Sequence, residues 1–408
     1  MSLPEEKPAA AAEGMLLAWW AARIPDRLAL VTPHGDRTYA DFNAQINRLS
    51  RALRARGLGP GDAIALMCTN EPAFLEVLYA AQRTGLRLTP INWHLTGEEA
   101  AYIVENCEAK AFVCSGSLGD KVAIAAAAGG PGLVRINTGG YLPDFEMYDA
   151  VVAAEDGSDI TDPVMGTQML YTSGTTGRPK GVHRDSAAVS ALAAVNFCGY
   201  DEDYETSLDA HLVTGPLYHA APLAFSVAVP FTYGVPLVIM DHWDPVDALQ
   251  LMERHGITHT HMVPTMFHRL LALPPETRSR FDTSSLRFVI HGAAPCPVAI
   301  KQRLIAWLGP VVVEYYAAPK GWAPSSTPRP GWPTPAPSAG PWCRVWSRSP
   351  TTPATTSRRE RSAWSSCRHR PPPNSTTTAT ARRRPGPSVA TTSHWATWAT
   401  WTTRASST

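Results

Sequence analysis

The amino-acid composition of the chain changes abruptly after Ala318. The segment from Pro319 to Thr408 contains no Ile, Leu, Phe, Tyr, Met or Asp, and its single Glu is Glu360. Pro, Ser, Thr, Arg and Trp take their place. Such a segment cannot bury enough aliphatic surface to offset its conformational entropy, so we expect residues 319–408 to be disordered. A packed core is therefore expected only before this point.

Residues 319–408 allow two different interpretations. They could form a basic, Trp-bearing interaction tail, or they could be the product of a reading frame shifted by one base. Trp has a single codon, so Trp395, Trp398 and Trp401 restrict what the other frame encodes. That frame permits Leu-Gly-Asp-Val-Gly-Tyr-Val-Asp, a string far more typical of a folded protein. The frameshift is the interpretation we favour.

Residues 13–318 alternate between two patterns of apolar residues. Helical spacing predicts helices over Leu17–Ala22, Tyr39–Leu58, Leu75–Thr84 and Pro245–His255. Short apolar runs predict strands at Ala63–Met67, Ala111–Val113, Leu237–Met240 and Thr258–Val263. Alternating strands and helices indicate an α/β fold with mainly parallel sheets. We expect residues 1–12 to be a flexible arm and residues 13–318 to be one large domain.

Several features limit the class of protein. The formal net charge of +1 gives no reason to expect a nucleic-acid partner. The seven cysteines are odd in number and lack C-x-x-C spacing, which favours reduced thiols in a cytoplasmic protein. The N-terminus shows no secretory signal pattern. Residues 220–240 are uncharged, but Pro222, Pro230, Gly234 and Pro236 argue against a transmembrane segment and favour buried turns and strands.

The segment Tyr171–Gly181 reads Tyr-Thr-Ser-Gly-Thr-Thr-Gly-Arg-Pro-Lys-Gly. Glycines let backbone N–H groups approach an anion, the hydroxyls add hydrogen-bond donors, and Lys180 adds positive charge. The spacing is not that of a Walker loop. Apolar Met169 and Leu170 come just before it, so we expect a loop that leaves a buried strand. The pattern predicts binding of a nucleotide's phosphates rather than a flexible linker.

A cluster of metal-ligand residue types follows the strand at Leu237–Met240. Asp241, His242, Asp244 and Asp247 could suggest a metal site. A simpler account is that Asp244 caps a helix whose first residue is Pro245. The spacing of the four residues does not support a metal site, so we predict a helix start.

With these motifs in view, the chain resembles the adenylate-forming superfamily and, within it, the acyl-CoA synthetases. The resemblance implies the large N-terminal domain of those enzymes, and it covers nearly all of residues 13–318. It rests on segments that occur in the family's order: Pro90–Asn92 with Leu95–Thr96, Tyr171–Gly181, Gly215–His219, Val263–Met266, His291–Pro295 and Glu314–Ala318.

The resemblance implies a reaction and a set of site residues. A carboxylic acid would attack ATP to give an acyl-adenylate and pyrophosphate, and CoA would then take the acyl group. His219 would act as the gate of the acyl pocket and need not be a base. The residues implied for ATP are Thr172, Ser173, Gly174, Thr175, Thr176, Gly177, Lys180, Gly292, Ala293, Ala294, Pro295, Glu314, Tyr315 and Tyr316, with Tyr316 stacked on adenine.

The chain departs from the family pattern at a decisive point. The family has Thr-Glu after the segment that begins at Glu314, and the Glu is assigned to Mg²⁺. This sequence has Pro319 and Lys320 instead, which puts positive charge where a metal ligand is required. The family's small C-terminal domain, with its catalytic Lys, is expected to be absent. We therefore expect impaired catalysis and low stability.

The nature of the acid remains open. Residues 220–229 are apolar and uncharged, which favours a medium or long fatty acid. An enzyme that adenylates an amino acid or an aryl acid is the alternative for the substrate. A non-catalytic remnant that still binds a nucleotide or an acyl chain is the alternative for the activity.

Overall fold

A computed structural model describes residues 6–172, 179–184, 196–318 and 321–325. Two sheets form its framework, and helices connect their strands. The helices, α1 to α12, are Lys7–Ala12, Leu16–Ala21, Tyr39–Ala55, Pro72–Arg83, Gly97–Asn106, Asp120–Ala127, Tyr148–Ala153, Val229–Thr232, Pro245–Arg254, Pro264–Ala272, Pro275–Arg278 and Val298–Leu308. The strands, β1 to β15, are Leu28–Val31, Arg37–Thr38, Ala63–Met67, Arg87–Pro90, Ala109–Ser115, Val134–Thr138, Glu146–Met147, Thr167–Thr172, Lys180–Arg184, His211–Val213, Leu237–Ile239, His259–Met262, Phe288–His291, Val312–Ala318 and Gly321–Ser325.

The two sheets have the parallel character that the sequence predicts. The first has the order β15-β14-β13-β12-β10-β11-β1-β2 and the second has the order β7-β6-β5-β3-β4-β8-β9. Antiparallel pairs occur between β1 and β2, β14 and β15, and β8 and β9. The other described pairs of named strands are parallel. The expected α/β fold is therefore confirmed.

The uncharged segment 220–240 does not have the secondary structure that we predicted for it. Instead of turns and strands before Leu237, the chain forms a π-helix at Pro222–Ala228 that continues into α8. The N–H of Val229 donates to the carbonyl of Ala224, five residues earlier. This wider winding accommodates Pro230, which has no N–H to donate and would crowd the preceding turn of an α-helix. Within the described residues, no helix combines the length and apolarity needed to cross a bilayer.

Part of the expected N-terminal arm, residues 7–12, has regular secondary structure. These residues form α1, and the side chain of Ala10 is fully buried. The ammonium of Lys7 donates to the carbonyl of Thr232 over 3.1 Å. Alanine is the strongest helix former, and Pro8 lies in the first turn, where a missing N–H costs nothing. Residues 7–12 are therefore helical in the structure.

A short strand follows Ala318. Residues Gly321–Ser325 lie in the segment expected to be disordered, yet they form β15 and pair antiparallel with β14, with Ala318 opposite Gly321. An edge strand pairs through its backbone, so it can form without aliphatic side chains. The expected disorder of the remaining tail concerns residues outside the described part of the chain.

Candidate functional site

Four of the motif segments lie at or near the carboxyl edge of the first sheet. Strands β10, β12, β13 and β14 are neighbours and run parallel, so the segments that follow them emerge on the same side. Gly215–His219 follows β10, Val263–Met266 follows β12, and Gly292–Pro295 follows β13. Glu314 lies within β14, opposite His291. Sequence segments up to a hundred residues apart therefore share one edge, as expected for a ligand site in an open parallel sheet.

The turn after β13 requires glycine at its first position. A Cβ added to Gly292 would lie 2.5 Å from Cε1 of Tyr315, well inside van der Waals contact. The next residue, Ala293, has a φ of 66°, a left-handed conformation that is uncommon for a residue with a side chain. The backbone of this turn is thus held against an aromatic ring in a strained conformation, which is typical of functional sites.

Tyr315 lies in a buried aromatic cluster. Its ring centroid is 4.5 Å from that of Phe225, and its hydroxyl is 3.1 Å from Nε2 of His261. The ring of Tyr315 therefore packs directly against the turn at Gly292. Its assignment to the nucleotide stays a prediction, and so does that of Tyr316, whose side chain lies outside the described residues.

Glu314 is paired with a lysine. The ammonium of Lys301, on α12, donates to Oε2 of Glu314. Among the described residues, no group of three or more His, Cys, Asp or Glu side chains could hold a metal ion. Position 320 carries Lys320 in place of the expected carboxylate. Since Lys320 lies outside the described residues, the Mg²⁺ that the family resemblance implies stays a prediction.

The predicted phosphate loop connects two antiparallel strands at the edge of the second sheet. Strand β8 ends at Thr172, β9 begins at Lys180, and these two residues are direct partners in the pairing. Met169 and Leu170 are buried, so the loop leaves a buried strand as expected. Lys180 is exposed. The assignments to Ser173, Gly174, Thr175, Thr176 and Gly177 concern residues outside the described part of the chain.

His219 lies where the segments Gly215–His219 and Pro222–Ala228 meet. Its N–H donates to the carbonyl of Pro216 over 3.2 Å, and its ring centroid is 4.5 Å from that of Tyr218. Burial, with a smaller contribution from His94, lowers the pKa of His219 to about 4. The imidazole is thus neutral at neutral pH, which is compatible with a gate that takes no part in proton transfer.

His94 is a neighbour of this site that the sequence analysis did not single out. Burial, followed by the charge of Lys121, lowers the pKa of His94 to about 4, and its ring stacks on that of Trp93 at 3.5 Å between centroids. The only signal in the sequence was its position between Pro90–Asn92 and Leu95–Thr96. Those two segments carried the family resemblance, and His94 lies between them.

The metal-like cluster after β11 has the simpler structure that we predicted. Oδ1 of Asp244 accepts hydrogen bonds from the N–H groups of Val246 (2.8 Å) and Asp247 (3.2 Å), and Pro245 begins α9. Asp241 accepts from Nε2 of His34 over 3.0 Å. The prediction of a capped helix start is confirmed.

A sequence model of the AMP-binding enzyme family matches residues 17–344, which is well over half of the chain. The chain belongs to the AMP-binding enzymes. The feruloyl-CoA synthase of an Amycolatopsis species is 31% identical over 293 residues, which are 69% of this chain and 56% of that protein. A long-chain-fatty-acid–CoA ligase of Mycobacterium tuberculosis is 30% identical over 293 residues, which are 70% of this chain and 56% of that protein.

A solved structure shows the same fold. The ATP-bound MatB of Rhodopseudomonas palustris superimposes with a TM-score of 0.65 at 28% identity, covering 80% of this chain and 63% of that one. The resemblance to adenylate-forming acyl-CoA synthetases is therefore confirmed. The chain spans 56% of the length of the two curated relatives.

Proposed function

We propose that this AMP-binding enzyme descends from, and retains the binding site of, an ATP-dependent acyl-CoA synthetase. In that reaction a carboxylate oxygen bonds to the α-phosphorus of ATP as the bond to pyrophosphate breaks. The thiol of CoA then bonds to the acyl carbon and AMP leaves. The observation that carries the proposal is the convergence of the segments after β10, β12 and β13 on one sheet edge.

Binding and positioning are the main contributions that such a protein makes to phosphoryl chemistry. Lys180 and Thr172, paired at the mouth of the loop, would hold the phosphates together with residues 173–177. The strained turn Gly292–Pro295 would line the nucleotide. His219, neutral at neutral pH, would close the acyl pocket without bringing a positive charge into it.

We propose a fatty acid as the acid substrate. The π-helix beside His219 buries Leu223, Phe225 and Val227 and carries no charged group, which suits an aliphatic chain. An aryl acid is the second candidate. The aromatic cluster of Phe225, His261 and Tyr315 has ring faces on which an aromatic acid would stack. The Amycolatopsis relative is named as a feruloyl-CoA synthase.

We further propose that catalysis is impaired and that the residues after Tyr316 result from the loss of one base just after its codon. Lys320 stands in place of a carboxylate, and the composition after Ala318 supports a shifted frame. Sequencing the gene across the codons for Tyr316–Gly321 tests this directly. In the frame shifted by one base we expect the gene to encode Thr-Glu directly after this point, and a shifted frame that does not encode Thr-Glu there would contradict the proposal.

Non-hydrolysable acyl-adenylate analogues test the binding site without requiring turnover. We expect dodecanoyl-sulfamoyl-adenosine to bind the full chain at least about a hundredfold more tightly than AMP, because it occupies both halves of the site. The feruloyl and aminoacyl analogues serve as controls for acid class. If the feruloyl analogue binds best, the substrate is an aryl acid. If no analogue binds more tightly than AMP, the proposed function is wrong.

Acid-dependent exchange of pyrophosphate into ATP separates a working enzyme from a remnant. We expect exchange near background, because Lys320 replaces the expected metal ligand. Exchange above background with a fatty acid would contradict the proposed impairment but would support the proposed reaction.

A further inference from the structure

A buried asparagine of the second sheet contacts the segment that carries His219. Asn70 follows β3, and its side chain is 4% exposed. Its Nδ2 donates to the carbonyls of Gly215 (3.1 Å) and Met240 (3.0 Å), and its Oδ1 accepts from the N–H of Leu217 (3.0 Å). Both amide protons and the amide oxygen are therefore used, and all three bonds cross from one sheet to the other.

Asn70 is itself held firmly by its own sheet. The N–H of the preceding residue, Thr69, donates to Oγ of Ser115 over 3.0 Å. The carboxylate of the following residue, Glu71, accepts from Ser115 and from Oγ1 of Thr138 at 2.8 Å. The carboxyl ends of β3, β5 and β6 therefore fix the backbone on both sides of Asn70. Its amide is a rigid support and not a mobile surface group.

The segment that Asn70 contacts has little freedom of its own. A Cβ at Gly215 would lie 2.8 Å from Cγ of Pro222, so the chain turns back tightly here. The carbonyl of Pro216 accepts from the N–H of His219, and the carbonyl of His219 accepts from the N–H of Leu223, each over 3.2 Å. The position of His219 thus follows from where the backbone of residues 215–217 is held, and Asn70 bonds to both ends of that stretch.

We propose that Asn70 is a positioning residue that sets the location of His219 relative to the carboxyl edge of the first sheet. If the proposed function is correct, Asn70 also helps to shape the acyl pocket, because its amide links the second sheet to the segment that carries His219. Only this consequence rests on the proposed function. The bonds to Gly215 and Met240 would also hold the ends of β10 and β11 in register at the site.

Amide hydrogen exchange of the full chain tests the positioning without any ligand. In Asn70→Ala we expect exchange in peptides covering residues 213–219 to be faster by about tenfold, the change that corresponds to the loss of one ordinary hydrogen bond. Asn137→Ala is the matched control. Asn137 is fully buried, and its Nδ2 donates to two backbone carbonyls, those of Gly139 (3.3 Å) and Gly140 (2.7 Å), within its own turn.

Binding of the dodecanoyl-adenylate analogue gives the second measurement. Asn70→Ala should lower the affinity for the analogue by about tenfold and leave the affinity for AMP unchanged. Asn137→Ala should change neither affinity. Asn70→Ser keeps one small hydroxyl and adds no buried charge, so it stands in if the alanine variant does not fold, and its exchange over residues 213–219 should also be faster.

Each outcome decides a separate point. Unchanged exchange over residues 213–219 in both Asn70 variants would overturn the positioning role. Faster exchange with unchanged analogue affinity would show that the turn does not shape the acyl site, which also overturns the proposal. If the wild-type chain binds no analogue, the proposed function fails, while the exchange result still decides whether Asn70 holds the turn.

Discussion

Acidification from about pH 6.5 to about pH 4 is expected to unfold this protein. Four histidines of the first sheet are buried: His211, His259, His261 and His291. Burial lowers the pKa of His259 and of His261 to about 4, that of His291 to about 3, and that of His211 well below its ordinary value of 6.5. The folded state therefore holds these rings neutral.

The sign of the effect follows from proton linkage. Each pKa is lower in the folded state than in the unfolded state, so the unfolded chain takes up protons first as the pH falls. The stabilising contribution is complete above about pH 6.5 and is lost as the pH falls towards the folded value. A shift from 6.5 to about 4 corresponds to about 3 kcal/mol for one ring. Several such rings together reach the roughly 5–15 kcal/mol that stabilises an ordinary domain.

His291→Leu tests the account at a single ring. His291 is fully buried, packs edge-on against Phe267 at 5.0 Å between centroids, and has no hydrogen-bond partner for either ring nitrogen among the described residues. The variant should lower the acid midpoint by about half a pH unit and gain more stability at about pH 5 than at about pH 8. His268→Leu, at an exposed position, is the control. Equal pH profiles for wild type and His291→Leu would refute the explanation.

Gly292→Ala is expected to destabilise the protein by about 2 kcal/mol, a typical cost of overpacking. The added methyl group would lie 2.5 Å from Cε1 and 2.6 Å from Cζ of Tyr315. The ring of Tyr315 has little room to move, because Phe225 packs against it and His261 bonds its hydroxyl. The turn would have to shift instead, and we expect affinity for the acyl-adenylate analogue to fall with stability.

The midpoint of urea denaturation measures this cost. Gly132→Ala is the control, because a Cβ at Gly132 would meet no atom within 4 Å and its backbone has no left-handed φ. The expected result is a lower midpoint for Gly292→Ala alone. In Tyr315→Leu, where the ring is gone, the additional cost of Gly292→Ala should be smaller. An unchanged midpoint for Gly292→Ala would mean that the turn is not packed against Tyr315 as described.

Local patterns predicted much of the fold because they act over a few residues. The strand Ala63–Met67 has the predicted bounds, and the helix start at Asp244 follows from one side chain and the proline after it. The π-helix at Pro222–Ala228 could not be predicted in the same way. Its prolines indicate a broken helix, but only packing decides between a break and a wider winding.

The sequence predicted the loops of the candidate site, but it did not predict the buried residues that hold those loops in place. Motif residues such as Gly292 and His219 stand in recognisable strings, so their chain order revealed them. Asn70 and His94 act on residues more than a hundred positions away, and no local pattern encodes such a contact. The buried state of His291 is likewise a property of the assembled sheet.

Equilibrium binding of ATP to the full chain, in wild type and Lys180→Ala, tests the central claim most directly. Lys180 is exposed at the end of the predicted phosphate loop, opposite Thr172. The account predicts that wild type binds ATP and that Lys180→Ala weakens binding by about tenfold or more, since a charged hydrogen bond to phosphate is lost. Lys110→Ala, which removes an exposed lysine paired with Asp62, should leave ATP affinity unchanged. Absence of ATP binding in a folded wild-type chain, or equal affinity in Lys180→Ala, would contradict the account.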